Sequence, residues 1–149
     1  MPSPSFEDRY DEKMAAGFLR NGGKGGGGVL PEILGIELLK FAPGKLWARA
    51  VITDELLTPF GNVHGGAMAA IMDHVTGVVV YPLMPPGSWA ATTEIKMNYV
   101  APMQAGEVQV EATVLAMTNR SAVVRGEIFN GDKLLAAAQG TLTVVPPKS

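Results

Sequence analysis

The sequence predicts an α+β domain in which a single antiparallel sheet of about six strands wraps one long apolar helix. Three observations predict it. A nearly all-apolar stretch at 67–83 follows a glycine-rich turn, Gly61-Asn62-Val63-His64-Gly65-Gly66, and reads as a buried helix. Two strand-like runs precede that helix and four follow it. Turn dipeptides separate the runs, with Asn130-Gly131 the strongest short hairpin signal among them.

Taken in order, Ser5 with Asp8 three residues later resembles a capping box, and Phe6, Tyr10, Met14 and Phe18 recur at roughly helical spacing up to Gly22-Gly23. A short amphipathic helix is expected there. Residues 21–28 are glycine except for Asn21 and Lys24, which gives no apolar surface to pack and predicts a flexible tether. The chain therefore divides into an N-terminal helix and Gly-rich tether at 1–28 and a domain at 29–149, with the helix docking on that domain or on a neighbouring subunit. Residues 36–41, the turn Pro43-Gly44, and the alternation of Leu46, Ala48, Ala50 and Ile52 with Trp47, Arg49 and Val51 give two antiparallel strands. After the helix, runs at 90–100, 107–117, 121–129 and 133–145 are separated by Pro102, Gly106 and Asn130-Gly131, and are expected to form a meander.

Composition narrows the function. A chain of 149 residues suits one domain. A net charge of -2 with acidic and basic residues scattered gives no electrostatic footprint for nucleic acid or a membrane surface. The absence of cysteine excludes disulfides, thiol catalysis and thiolate metal sites. Glu7, Asp8, Asp11 and Glu12 near the start do not fit a signal peptide, so a cytoplasmic location is expected. The 67–83 run is broken by Asp73 and His74, meets Pro82, and falls short of the ~20 apolar residues that span a bilayer.

The helix has two unlike faces. Met68, Met72, Val75 and Val79 form a large apolar stripe for the core, whereas Gly66, Ala70, Asp73 and Gly77 form a strip of small residues around one carboxylate. An ionised carboxylate removed from water is costly unless paired or employed, so Asp73 is expected in a dry cleft with a chemical task. The small strip is expected to meet another subunit, a ligand, or both. At the helix start, the amides of Gly65, Gly66 and Ala67 lack intrahelical acceptors and lie at the positive end of the helix dipole, where an oxyanion binds. With Asp73 two turns along the same face, these are the parts of an acyl-transfer site. Each residue also has a plain structural reading: Gly65 and Gly66 for a tight turn, Asp73 as a satisfied structural carboxylate, His64 as a helix-entry residue, and His74, about 100° around the helix, as a structural side chain pointing elsewhere. The combination carries more weight than any member. Two histidines ten residues apart with one intervening carboxylate are no recognisable ligand set, so no metal or cofactor is expected.

These motifs resemble the hotdog-fold acyl-CoA thioesterases, in particular the PaaI-like branch of the 4-hydroxybenzoyl-CoA thioesterase superfamily, over residues 29–145. The signature Gly-x-x-His-Gly-Gly with an acid nine residues after the histidine is matched by Gly61, His64, Gly65, Gly66 and Asp73. Tyr99, Pro102 and Gly106 are similar to a second family stretch, and Ala136, Gly140 and Thr141 to the closing strand. The resemblance implies that Asp73 is the nucleophile or a general base for water, that the Gly66 amide polarises the thioester carbonyl, and that His64 orients that carbonyl or the turn. The family places an asparagine six residues before the histidine; Thr58 stands there, with Asn62 as a substitute for positioning water and Thr92 as a hydroxyl aimed at it. Gly65 and Thr58 would line the substrate, while Arg120 and Ser121, in the Thr118-Asn119-Arg120-Ser121 turn, would hold the phosphates of coenzyme A. The family also implies a homodimer with two sites at its interface, often paired into a homotetramer. The substrate is then an acyl-CoA, with an acyl carrier protein thioester left open, and the acyl group is not legible. A hotdog hydratase fits the His-Gly-Gly helix entry less well. A non-catalytic acyl-CoA-binding or ligand-sensing dimer is made credible by Thr58, and a dimer without ligand is the blandest reading.

Overall fold

The computed structural model describes residues 3–23 and 28–149, so 24–27 of the expected tether lie outside the described residues. Strands β1 (Ile36–Ala42) and β2 (Lys45–Ile52) form a hairpin about Pro43-Gly44, and period-two alternation turns Leu46, Ala48, Ala50 and Ile52 inward. Helix α5 (Gly65–Val78) follows, then β3 (Trp89–Tyr99), β4 (Gly106–Met117), β5 (Ser121–Asn130) and β6 (Lys133–Val145). The six strands make one antiparallel sheet in the order β1-β2-β4-β5-β6-β3. Curled around α5, this is the expected hotdog arrangement.

The large stripe of α5 fills the concave side of the sheet: Met68, Ile71, Met72 and Val75 are fully buried, each stabilising the fold by about 1.5–3 kcal/mol. Gly126 on β5 lets strand and helix approach closely, because a Cβ there would overlap the Met72 sulfur and crowd Thr76. The segment Gly65–Leu83 is long and apolar enough, by length and composition alone, to cross a bilayer. Here it supplies the core.

Two expectations are corrected. β4, β5 and β6 form a meander, but β3 does not join it; β3 lies beyond β6, paired from Trp89↔Val145 to Tyr99↔Ala136, and its outer edge has no partner among the described residues. The cause lies in the 100–105 connection, which is no tight turn. Pro102 interrupts it, and Met103 is buried and accepts from the Val63 N–H at 2.7 Å, which draws the chain across the end of the sheet.

The N-terminal helix is also broken, into α1 (Phe6–Arg9), α2 (Glu12–Phe18) and α3 (Arg20–Gly23). The Ser5–Asp8 capping box forms as expected, but Asp11 caps a second start by accepting from the Lys13 and Met14 amides, while its own N–H donates to the Pro82 carbonyl. Tyr10 is extended between the two helices. The segment docks on its own domain: Ala15 is buried, and the Phe18 ring lies 6.0 Å from Phe41 and 5.7 Å from Tyr81. A further short helix, α4 (Val29–Ile33), leads into β1 and had no signal in the alternation.

Candidate active site

The turn before α5 is built from its own side chains. Thr58 and Asn62 are joined twice, through the Thr58 N–H to the Asn62 carbonyl at 2.7 Å and the Thr58 hydroxyl to Asn62 Oδ1 at 3.1 Å. The same hydroxyl accepts from the Phe60 N–H, and Leu57 bridges Val63. This closed loop delivers His64 as the N-cap of α5. His64 has an exposed side chain, and its carbonyl accepts from Ala67 at 3.0 Å and Met68 at 3.2 Å. Ala67 is thereby satisfied, contrary to the sequence expectation. The Gly65 and Gly66 amides are the pair left without acceptors among the described residues, both exposed, with nothing within 4 Å of a Cβ position at Gly66.

Farther along α5, Asp73 opens into a groove of about 500 Å³. Thr92 on β3 lines the same groove, so the structure brings these two expected site residues together. Thr58 and Asn62 do not line it. The Asp73 carboxylate is exposed and makes no hydrogen bond or ion pair among the described residues. The expected dry cleft is therefore not formed by one chain, because the sheet covers the large stripe of α5 and leaves the Gly66, Ala70, Asp73 and Gly77 strip facing outward. His74 corrects a third expectation, since it lines the groove beside Asp73. It is half-buried; desolvation pushes its imidazole below the ordinary value, against the opposing pull of the Asp73 carboxylate.

Seven residues separate Gly66 from Asp73, about 10 Å along the helix at 1.5 Å per residue. A thioester carbonyl needs its oxygen at hydrogen-bond distance from an amide and its carbon about 3–3.5 Å from the attacking atom. Helix rise thus separates the two groups of one chain by more than one carbonyl spans.

Three contributions were not anticipated. Tyr81 lines the groove and accepts from the Ala90 N–H at 3.4 Å. Phe18 lines it from α2. Tyr99, quoted above only as a family marker, donates its hydroxyl to the Gly65 carbonyl at 3.0 Å. In the sequence Phe18 marks only the apolar face of an N-terminal helix and Tyr99 only a family stretch, and no motif singles out Tyr81. Arg120 and Ser121 lie in the β4–β5 turn, apart from the groove. Their amides both donate to the Thr118 hydroxyl, the Arg120 carbonyl accepts from Val144, and Asn119 accepts from Arg9 of α1 at 3.2 Å.

A hotdog sheet around a helix that opens on free glycine amides and carries a groove-facing acid defines a class, and comparison with known proteins names it. The model of the thioesterase superfamily matches residues 60–137. The 1,4-dihydroxy-2-naphthoyl-CoA hydrolase of Listeria monocytogenes is 28% identical over 116 residues, which span 77% of this chain and 94% of that protein. A conserved protein from Pseudomonas aeruginosa of solved structure is 31% identical with a TM-score of 0.75, over 79% of this chain and 94% of its own. A mutant of the phenylacetic acid degradation protein PaaI from Thermus thermophilus is 28% identical with a TM-score of 0.69, over 76% and 96% respectively. The chain belongs to the thioesterase superfamily. It is a thioester hydrolase.

Proposed function

We propose that the chain hydrolyses an acyl-CoA to a carboxylic acid and free coenzyme A, in a site completed by a second copy. The observation that carries this reading is the pairing of two acceptor-free amides at the start of α5 with an unpaired carboxylate two turns along the same face. Helix rise keeps them apart within one chain, whereas two α5 helices lying antiparallel across a two-fold axis set the Gly66 amide of each copy beside the Asp73 of the other. Two features support that homodimer. β3 is an 11-residue strand with an open edge and exposed Trp89 and Tyr99, a liability unless covered. The small residues around Asp73 also let a second helix approach.

In the closed groove the thioester oxygen accepts from the Gly66 amide. Asp73 then takes one of two routes. As nucleophile it attacks the carbonyl carbon, the C–S bond breaks to release the CoA thiolate, and water hydrolyses the resulting anhydride. As general base it accepts a proton from water, whose oxygen adds to the carbon, and the tetrahedral intermediate expels the thiolate. Both routes consume one water and yield acid and thiol. Thr92 offers the groove a hydroxyl that orients the water, and His64 holds the turn that presents the amides. Arg120 and Ser121 suit the phosphates of coenzyme A. The likeness to the Listeria CoA-thioester hydrolase supports CoA thioesters as the substrate class, and carrier-protein thioesters share the same reacting arm.

One observation favours a binding-only reading: the Thr58 hydroxyl is committed to Asn62 and does not face the Asp73 groove. An acyl-CoA panel with thiol detection separates the readings. Asp73→Asn is expected to lower hydrolysis by roughly 10²–10⁴ with the circular dichroism spectrum unchanged. Unaltered turnover in that variant removes Asp73 from the chemistry, and binding without thiol release by the wild type shows that the acyl-CoAs tested are ligands but not the thioester it cleaves.

A further inference from the structure

We propose that Phe18 and Pro31, which precede the region matched by the family model, form the wall that receives the acyl group and so set acyl specificity. This rests on the reading that Asp73 acts on a thioester. Both residues line the Asp73 groove yet stand outside residues 60–137.

The groove has a mixed lining, with Phe18 of α2 and Pro31 of α4 contributed by elements that bring no polar side chain to it. Asp73, His74 and Thr92 gather its polar groups, while Phe18, Pro31, Val78 and Ala90 present hydrocarbon. The Tyr81 hydroxyl already accepts from the Ala90 amide. A thioester carbonyl placed at Asp73 must send its two substituents in different directions. The pantetheine arm carries amides and a hydroxyl, which would lose water against a wall with few hydrogen-bonding groups. The acyl group carries no such penalty, so the apolar wall selects it.

Phe18 is fixed well enough to discriminate. Its ring is wedged between Phe41, which is buried, and Tyr81, against which it lies edge-on. The hydrogen bond from the Asp11 N–H to the Pro82 carbonyl anchors the start of α2. Pro31 belongs to α4, whose Val29, Leu30 and Ile33 are each more than half exposed. A bulky apolar acyl group is the ligand class this surface fits.

The test compares wild type, Phe18→Ala, Phe18→Trp and Pro31→Ser with acetyl-CoA and a series of longer and aromatic acyl-CoAs. Alongside hydrolysis, calorimetry measures binding of free CoA and of the matching non-hydrolysable CoA thioethers. Phe18→Ala and Pro31→Ser are expected to lose about tenfold or more in kcat/KM and thioether affinity for the bulkiest acyl groups, with free CoA and acetyl-CoA unaffected. Phe18→Trp, which preserves an aromatic wedge, should shift preference toward shorter groups. Uniform losses across the panel, or an unchanged acyl preference in the folded variants, overturn the wall. Thioether binding with this Phe18 dependence but no thiol release would overturn the hydrolytic reading instead and leave the wall supported.

Discussion

The Tyr99 hydroxyl donates to the Gly65 carbonyl at 3.0 Å, tying the last residue of β3 to the first of α5. The Gly65 carbonyl and the Gly66 N–H belong to one rigid peptide plane. Tyr99 therefore grips the unit that carries the proposed oxyanion donor, and a hydrogen bond accepted on one side of an amide polarises the other. Tyr99→Phe is expected to reduce kcat about 3–10-fold while changing stability by less than about 1 kcal/mol, because the bond is solvent-exposed. Steady-state kinetics set beside thermal unfolding checks this; a loss of activity that merely tracked a large fall in Tm would assign Tyr99 to folding alone.

Gly140 on β6 stands where a Cβ would come 2.7 Å from the Glu94 carbonyl of β3. The obstacle is backbone, so Gly140→Ala must displace the edge strand from its ladder. A cost of about 1–3 kcal/mol is expected. Because β3 is also the proposed dimer edge, sedimentation should show weaker self-association in this variant than in a surface variant of equal Tm.

The strands were legible because alternation and turn residues agree locally: Pro43-Gly44 and Asn130-Gly131 turn where expected, and Met68, Met72, Val75 and Val79 all enter the core. The place of β3 beyond β6 was not legible, since strand order depends on which edge the 100–105 connection reaches and periodicity is silent on that. The break at Tyr10 was hidden because Phe6, Tyr10, Met14 and Phe18 keep helical spacing across it, while the Asp11 side chain caps a second start. In the site, Asp73 was legible through the family motif and Thr92 through the wider family resemblance, and both line one groove. The exposure of Asp73 was not, because an apolar sequence around a carboxylate cannot tell a face covered by its own sheet from one awaiting a second chain.

Burial holds the His74 imidazole below its ordinary value and outweighs the adjacent Asp73 carboxylate. Folding therefore favours neutral His74, and as pH falls the unfolded chain takes up its proton first. The stability this contributes is fully present above the unfolded value, about 6.5, and is lost as pH falls through the lower folded value. Urea unfolding should show a lower midpoint at pH 5.5 than at pH 7.5, with a smaller difference in His74→Gln. An identical pH difference in that variant would sink this role for His74.

The two-copy site makes its sharpest prediction through complementation. Gly66→Pro removes the proposed amide donor, an N–H with no intrahelical partner to lose, and Asp73→Asn removes the carboxylate, so each homodimer should be nearly inactive. In a mixed dimer, one site combines the intact Asp73 of the first copy with the intact Gly66 of the second, and the other site lacks both. Random exchange of subunits makes about half the dimers mixed, each with one working site, so equimolar mixing should restore about a quarter of wild-type activity. A site drawing Asp73 and Gly66 from the same chain would recover nothing, since every chain in the mixture lacks one of them. Unfolding and refolding the two variants together, then assaying thiol release against each refolded alone, distinguishes the two arrangements.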